Sequence, residues 1–260
     1  MELVKDIPLR AIALPREHGA WGFVLEPLIL ALLVAFSVPA LYLAFAALLA
    51  FFAHQPVKVL LSGNRQKRGW AVLFLLIYLA PSLFFILKFI PYADRQTLII
   101  FGVAVLVMVI YLGLDILHYG RRLFVEIMAP SAVGLMAAAM VKASGWSLAA
   151  ALSLWAILLA RAIPTAFYVH AKIKQLKGQR VLIRTTVGLH IAFSLIVGVL
   201  AVNHLVPVSA VVAVTVFLAR AMAGLMPKAG HQTVKQIGMR EFGYGAQLVL
   251  LTAIGYWFNM

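Results

Sequence analysis

The sequence predicts an all-α integral membrane protein, with about nine transmembrane helices in one bundle, its N-terminus inside and its C-terminus outside. Three observations predict it. Hydrophobic residues make up 64% of the 260, and charged residues only 12%. A soluble domain needs roughly 25% charged residues to cover its surface. Apolar runs of the length that crosses a bilayer, about 20 residues, recur from one end of the chain to the other. The Lys and Arg residues gather in every second loop, as they do in short cytoplasmic loops.

The nine segments are Ala20–Phe36, Ala40–Leu61, Trp70–Ile90, Thr97–Leu117, Leu123–Val141, Leu148–Val169, Thr186–Val202, Pro207–Leu225 and Phe242–Phe258. Each is continuously apolar rather than alternating. Helices follow, because lipid leaves every backbone polar group to be satisfied within its own segment, and a membrane strand would alternate over about ten residues. The chain reads as a single membrane domain over residues 1–260. Residues 1–18 form a cytoplasmic lead that carries Lys5, Arg10 and Arg16, with no small-residue cleavage pattern after it.

The charges orient the bundle. Sixteen Lys and Arg fall in the loops on the N-terminal side, and three (Lys88, Arg95, Lys142) fall in the other set. That places the basic loops in the cytoplasm and the protein in the bacterial cytoplasmic membrane. The net charge of +14 is then an orientation signal facing anionic membrane lipid, and no nucleic-acid partner is expected. The chain has no cysteine, which excludes disulfides and thiolate-bound metals. The inner loops at 170–184 and 226–241 are the longest, and sites concentrate on long loops.

Ionisable residues inside a span cost several kcal/mol on insertion scales, which makes them functional candidates. Three clusters stand at the inner helix ends. The first is Arg16, Glu17, His18, Trp21 and Gly22, with Glu26 deeper. His18, Gly22 and Glu26 are four apart and share a face. Headgroup anchoring accounts for Arg16 and Trp21 but not for Glu26. The second is His54, Gln55, Pro56 and Lys58. Pro56 is expected to kink or break its helix. His54 and Lys58 share a face, and a lysine snorkelling to the headgroups would account for Lys58 equally well. The third is Arg161, Pro164, Thr165, Tyr168, His170, Lys172 and Lys174. Arg161, Thr165, Tyr168 and Lys172 form one stripe at spacings of four, three and four. Arg161 lies about 12 Å deep by helix rise and needs an anion, from Glu26, Glu126 or a ligand. Asp115, His118, Arg121, Arg122, Arg220 and His231 are further polar positions near inner ends.

The sequence holds no phosphate-binding glycine loop, dinucleotide fingerprint, His-Glu-x-x-His or Gly-x-Ser-x-Gly. Its few carboxylates argue against Mg²⁺ or Ca²⁺, which need clustered oxygens. No metal and no cofactor is expected.

The string Leu14-Pro-Arg-Glu-His-Gly-Ala-Trp-Gly22, with the basic stretch after the sixth segment, resembles the YwiC-like family of bacterial membrane proteins over essentially the whole chain. More distantly, the chain is similar to the UbiA superfamily of intramembrane prenyltransferases. That resemblance implies nine helices and a lipid-open cavity facing the cytoplasm, with prenyl diphosphate held through Mg²⁺ by Asp-rich motifs ending helices two and six. Arg16 and Pro27 fall on that family's helix-one Arg and Pro, His54–Ser62 on its first Asp motif, and Tyr168–Leu176 on its second. The acidic positions are replaced here: His54, Gln55, Lys58 and Ser62 stand in the first motif, and Lys172 and Leu176 in the second. Lys, His and Arg would keep attraction for an anion while dispensing with the metal, since charge-assisted bonds to phosphate or carboxylate need no bridging cation.

The expected function is a basic intramembrane pocket, facing the cytoplasm, that binds an anionic amphiphile without Mg²⁺, in a divergent UbiA-like transferase or a binding protein. Glu26 and His54 are the catalytic candidates, as proton carriers. Arg16, His18, Lys58, Arg161, Tyr168, His170, Lys172 and Lys174 are the ligand-binding candidates. Two alternatives stand beside it: a non-catalytic membrane subunit or assembly factor, and a transporter of an acidic solute with buried arginines as counter-ions.

Overall fold

The computed structural model describes residues 9–15, 18–62, 65–120, 122–226 and 233–259. Eleven α-helices follow one another: α1 (Leu9–Ala13), α2 (His18–Val34), α3 (Val38–Leu61), α4 (Arg65–Phe89), α5 (Arg95–Ile116), α6 (Leu123–Glu126), α7 (Met128–Ala143), α8 (Leu148–Leu176), α9 (Ile183–Val202), α10 (Val208–Leu225) and α11 (Val234–Phe258). No strand occurs among the described residues. Among the described residues, seven stretches are long and apolar enough to cross a membrane: Val38–Leu61, Arg65–Tyr92, Arg95–Ile116, Leu123–Ala143, Leu148–Leu176, Ile183–Val202 and Val208–Leu225. The first and last expected segments are where the count differs. The helix α2 has 17 residues, and α11 opens with a polar first half before its apolar run.

Side-chain caps set several helix starts. Ser37 accepts from the Ala40 amide at 3.2 Å, Asp94 from Thr97 at 2.7 Å, and Ser147 from Ala150 at 3.1 Å. Each cap satisfies a donor that the helix itself cannot. Thr233 and Gln236 form a reciprocal capping box that starts α11 at Val234, two turns before the expected Phe242. The expected break at Pro56 does not occur: α3 runs through it to Leu61. Likewise α8 continues past the apolar stretch to Leu176, which carries Lys172 and Lys174 on helix rather than loop.

The most enclosed helix is α7. Residues 137–141, Ala-Ala-Ala-Met-Val, are wholly buried. The small alanines let α2, α3, α5 and α8 approach it closely. The perimeter is the reverse. Leu76, Leu83, Leu106, Val109, Leu195 and Val199, on α4, α5 and α9, expose more than half their surface. An apolar exterior around a core that holds charges is the arrangement that lipid requires.

The two ends differ. At one, Ser37 bonds Ser144 at 2.7 Å, Trp257 donates to the Leu33 carbonyl at 2.7 Å, and Lys142 donates to Asp94 at 2.6 Å. These contacts gather the α2–α3, α4–α5 and α7–α8 turns with the end of α11. Asp94, exposed in its turn, is held well below the usual carboxylate range by the Lys142 hydrogen bond and then by the Thr97 hydroxyl and amide. At the opposite end, α3 meets α5 through Lys58 and Asp115, and α8 meets α10 through Lys172 and Gly224. This second end, the basic end, holds most of the Lys and Arg among the described residues.

Candidate functional site

A buried four-charge network is drawn from four helices. Glu26 comes from α2, Arg161 from α8, Arg220 from α10 and Glu241 from α11, and all four are buried. Arg161 Nε lies 3.2 Å from Glu26 Oε2, and its Nη2 donates to Glu26 Oε1 at 3.3 Å and to the Glu241 carbonyl at 2.9 Å. Arg161 Nη1 stands 3.6 Å from Glu241 Oε2. Arg220 Nη1 donates to Glu241 Oε1 at 2.7 Å, and its Nη2 to the Thr165 hydroxyl at 3.2 Å. Glu241 thus touches both arginines, whereas Glu26 pairs with Arg161.

Two arginines against two glutamates leave the set formally neutral. That balance matters, because an unpaired charge in a low-dielectric interior is far costlier than a paired one. Aromatic faces complete the surroundings. The Arg220 guanidinium lies 4.0 Å from the Tyr168 ring centre, and that of Arg161 lies 5.1 Å from Phe217 and 5.4 Å from Phe23. The ring quadrupoles favour a cation placed there. Even so, Arg161 Nε and Nη1, Arg220 Nε and Glu241 Oε2 are buried without a hydrogen bond of good geometry.

Glycines admit the carboxylate. A Cβ on Gly245 would overlap the Glu26 carboxyl group, and one on Gly22 would stand 3.1 Å from Glu26 Oε1. Gly22 and Glu26 thus share a face as their spacing predicts, with α11 supplying a second and tighter glycine. His18 shares this face in sequence, but its side chain, like Arg16, lies outside the described residues.

The stripe expected on α8 is real, and it faces α10. Arg161, Thr165, Tyr168 and Lys172 are all buried. Lys172 Nζ donates to the Gly224 carbonyl at 2.6 Å and to Gln175 at 3.2 Å. Gly224 belongs to the last turn of α10, where a cation suits the free carbonyls. Lys172 is thus a cap for α10. The Tyr168 hydroxyl lies over Gly224 where a Cβ would stand. Lys174 points to the exposed side, and His170 stands 3.8 Å from Glu126 at the surface.

A second cluster lies at the basic end between α3 and α5. Asp115 Oδ2 is 3.0 Å from His54 Nε2 and 2.8 Å from Lys58 Nζ. The following turn holds His118 at φ 65° and folds Gly120 over the Asp115 carboxyl, where a Cβ would overlap it. His54 and Lys58 are brought together as their spacing predicted, but on a carboxylate from α5. Lys58 and Lys172, expected to face one ligand, are engaged on different helix pairs.

Two members escaped the sequence reading. Glu241 falls at the edge of the last apolar run and reads as loop. The Thr233-x-x-Gln236 capping box was the signal that puts it two turns inside a helix. Asp115 was noted only as a polar position, since nothing local says that it meets α3.

An all-helical bundle with an apolar perimeter and buried, paired charges defines the class: a multi-pass membrane protein. Within that class, residues 14–141 match the family described as YwiC-like protein, and the chain is YwiC-like over that stretch. The match takes in Glu26, His54, Lys58 and Asp115. It is narrower than the whole-chain resemblance expected, ending before Arg161, Arg220 and Glu241. No curated protein and no solved structure matches the chain.

Proposed function

We propose that the protein crosses the bacterial cytoplasmic membrane nine times, N-terminus inside and C-terminus outside, and binds an amphiphile with an acidic head and an apolar body. Arg161 and Arg220 take the head without a divalent metal. The observation that carries this reading is the arginine pair itself: two buried guanidinium groups share one carboxylate, and Arg161 Nη1 and Arg220 Nε carry no hydrogen bond. Buried arginines suit planar acid groups, because guanidinium presents several donors in a fixed fork. The apolar perimeter supplies a route from lipid for the body of the molecule. A nine-helix bundle with an anion site near one end is also what the resemblance to the UbiA superfamily implies.

The two additional spans are α2 and α11. They pack on each other and against α7 and α10 respectively. Pairing Glu26 and Glu241 with arginines removes the charges that otherwise weigh against insertion. Orientation rests on the basic end, whose Lys and Arg belong in the cytoplasm. Lys174, His170 and the loop cations there suit lipid headgroups. Within this reading His54, with its ring on Asp115, is the group suited to carrying a proton. Glu26, tied to Arg161, serves to position that arginine.

Native mass spectrometry of the purified protein tests the reading. The wild type should retain an acidic lipid. The charge-balanced variant Arg220→Gln/Glu241→Gln should lose it while keeping its fold. A wild type that carries no acidic lipid, or a double variant that keeps one, overturns the proposal. An empty protein would favour a non-catalytic membrane subunit instead.

A further inference from the structure

We infer that Glu241 is an internal stand-in for the ligand's acid group: its carboxylate fills the two-arginine cradle and must yield it for an anionic head to bind. The inference rests on the reading above and adds how that site is regulated.

Three observations carry it. Glu241 is the carboxylate that meets both arginines, at 2.7 Å to Arg220 and 3.6 Å to Arg161, so it sits where a two-pronged anion would sit. It fits that place incompletely. Its Oε2 and Arg161 Nη1 face each other at 3.6 Å without a hydrogen bond, and Arg220 Nε is buried with none. A phosphate or a free carboxylate, not tethered to a backbone, can turn to use those donors. Burying a polar group without a hydrogen bond is costly, so an incoming anion that satisfies these groups competes on favourable terms.

The third observation is the helix that carries Glu241. The first half of α11 includes Gly238 and Gly243, and neither meets any atom within 4 Å where a Cβ would stand. No packing demand accounts for them, unlike Gly245. Each weakens its helix relative to Ala. The segment holding the stand-in is thus locally soft, while Arg161 and Arg220 sit on stretches of α8 and α10 that bury Ala160, Ala162 and Thr165 on one helix and Phe217 and Ala221 on the other. A device in which the internal acid leaves and the arginines stay needs this division.

The exchange explains why both glutamates are present. Glu26 is fixed by Gly22 and Gly245 against Arg161 and holds that arginine in place. Glu241 is the exchangeable member. An internal acid keeps two buried arginines paired when no ligand is bound, which avoids the uncompensated charge that would otherwise unfold the site.

The test measures binding of dodecyl phosphate to the full chain in phosphatidylcholine nanodiscs, with dodecanol and inorganic phosphate as comparison probes. Glu241→Asp keeps the charge, and with it the fold, but is too short to span both arginines. It should bind dodecyl phosphate about tenfold more tightly than wild type, a shift within the usual range of site coupling. Glu241→Gln should move in the same direction, and Glu26→Asp should not. If the wild type binds and the Glu241 variants bind no tighter, the inference fails and the binding reading stands. If neither wild type nor folded variants bind dodecyl phosphate, the binding reading fails and takes the inference with it. Inorganic phosphate binding as tightly as dodecyl phosphate, with the same gain in the Glu241 variants, would uphold the exchange but replace the amphiphile with a free anion.

Discussion

Arg220 donates from Nη1 to Oε1 of Glu241 at 2.7 Å, joining α10 to α11 across a buried interface. Both side chains are at most one-tenth exposed. Removing one partner of such a pair leaves a charge with nowhere to go, at about 3–5 kcal/mol. Glu241→Ala and Arg220→Ala are each expected to lower the apparent melting temperature in detergent sharply. Arg220→Met/Glu241→Met should lose less than the sum of the two single changes. Additive losses would show that the two residues do not act as a pair.

Gly245 and Gly22 differ in what a methyl group would meet. At Gly245 it would overlap the Glu26 carboxyl group, and at Gly22 it would stand 3.1 Å from the nearest carboxyl oxygen. Gly245→Ala should therefore cost well over 1 kcal/mol by displacing Glu26 from Arg161, within the overpacking range. Gly22→Ala should cost less, and Gly69→Ala, which meets no atom, should be neutral or slightly stabilising. Thermal unfolding of the three variants checks the order.

Asp94 accepts from Lys142 Nζ at 2.6 Å and from the Thr97 hydroxyl at 2.6 Å, across the turn before α5. Its carboxyl is held below its ordinary value in the fold. A depressed folded-state value means that the contribution is complete above the unfolded value, near 3.9. It is lost as pH falls from there through the folded value. Asp94→Asn should be slightly less stable than wild type at pH 7, and the difference should shrink below about pH 4. A difference that stays constant with pH would rule out the charge as its source. The pair is solvent-exposed, so salt should weaken it.

The chain has no cysteine, so single-cysteine variants report topology without background. Lys177→Cys lies at the basic end and Tyr92→Cys at the other. Tyr92→Cys should react with an impermeant maleimide in intact cells, and Lys177→Cys only after the membrane is opened. The opposite pattern would invert the orientation argued from the charges.

The helical class, the membrane and the two unlike ends were legible in residue order alone. Apolar run length and the alternation of Lys and Arg are local quantities, and lipid enforces them without reference to any neighbour. Helical spacing alone also grouped Arg161, Thr165, Tyr168 and Lys172 on one face, and His54 with Lys58. What those faces meet was not legible. The 80 residues between Arg161 and Glu241, and the 61 between His54 and Asp115, are spanned by packing that no local signal encodes. Tertiary structure therefore decided that Lys172 caps α10 and that Lys58 answers to Asp115. It also decided that the arginines are shared by two glutamates from opposite ends of the chain. The physical reason is that a buried charge is stable only beside its partner, and its partner is chosen by which helices pack together.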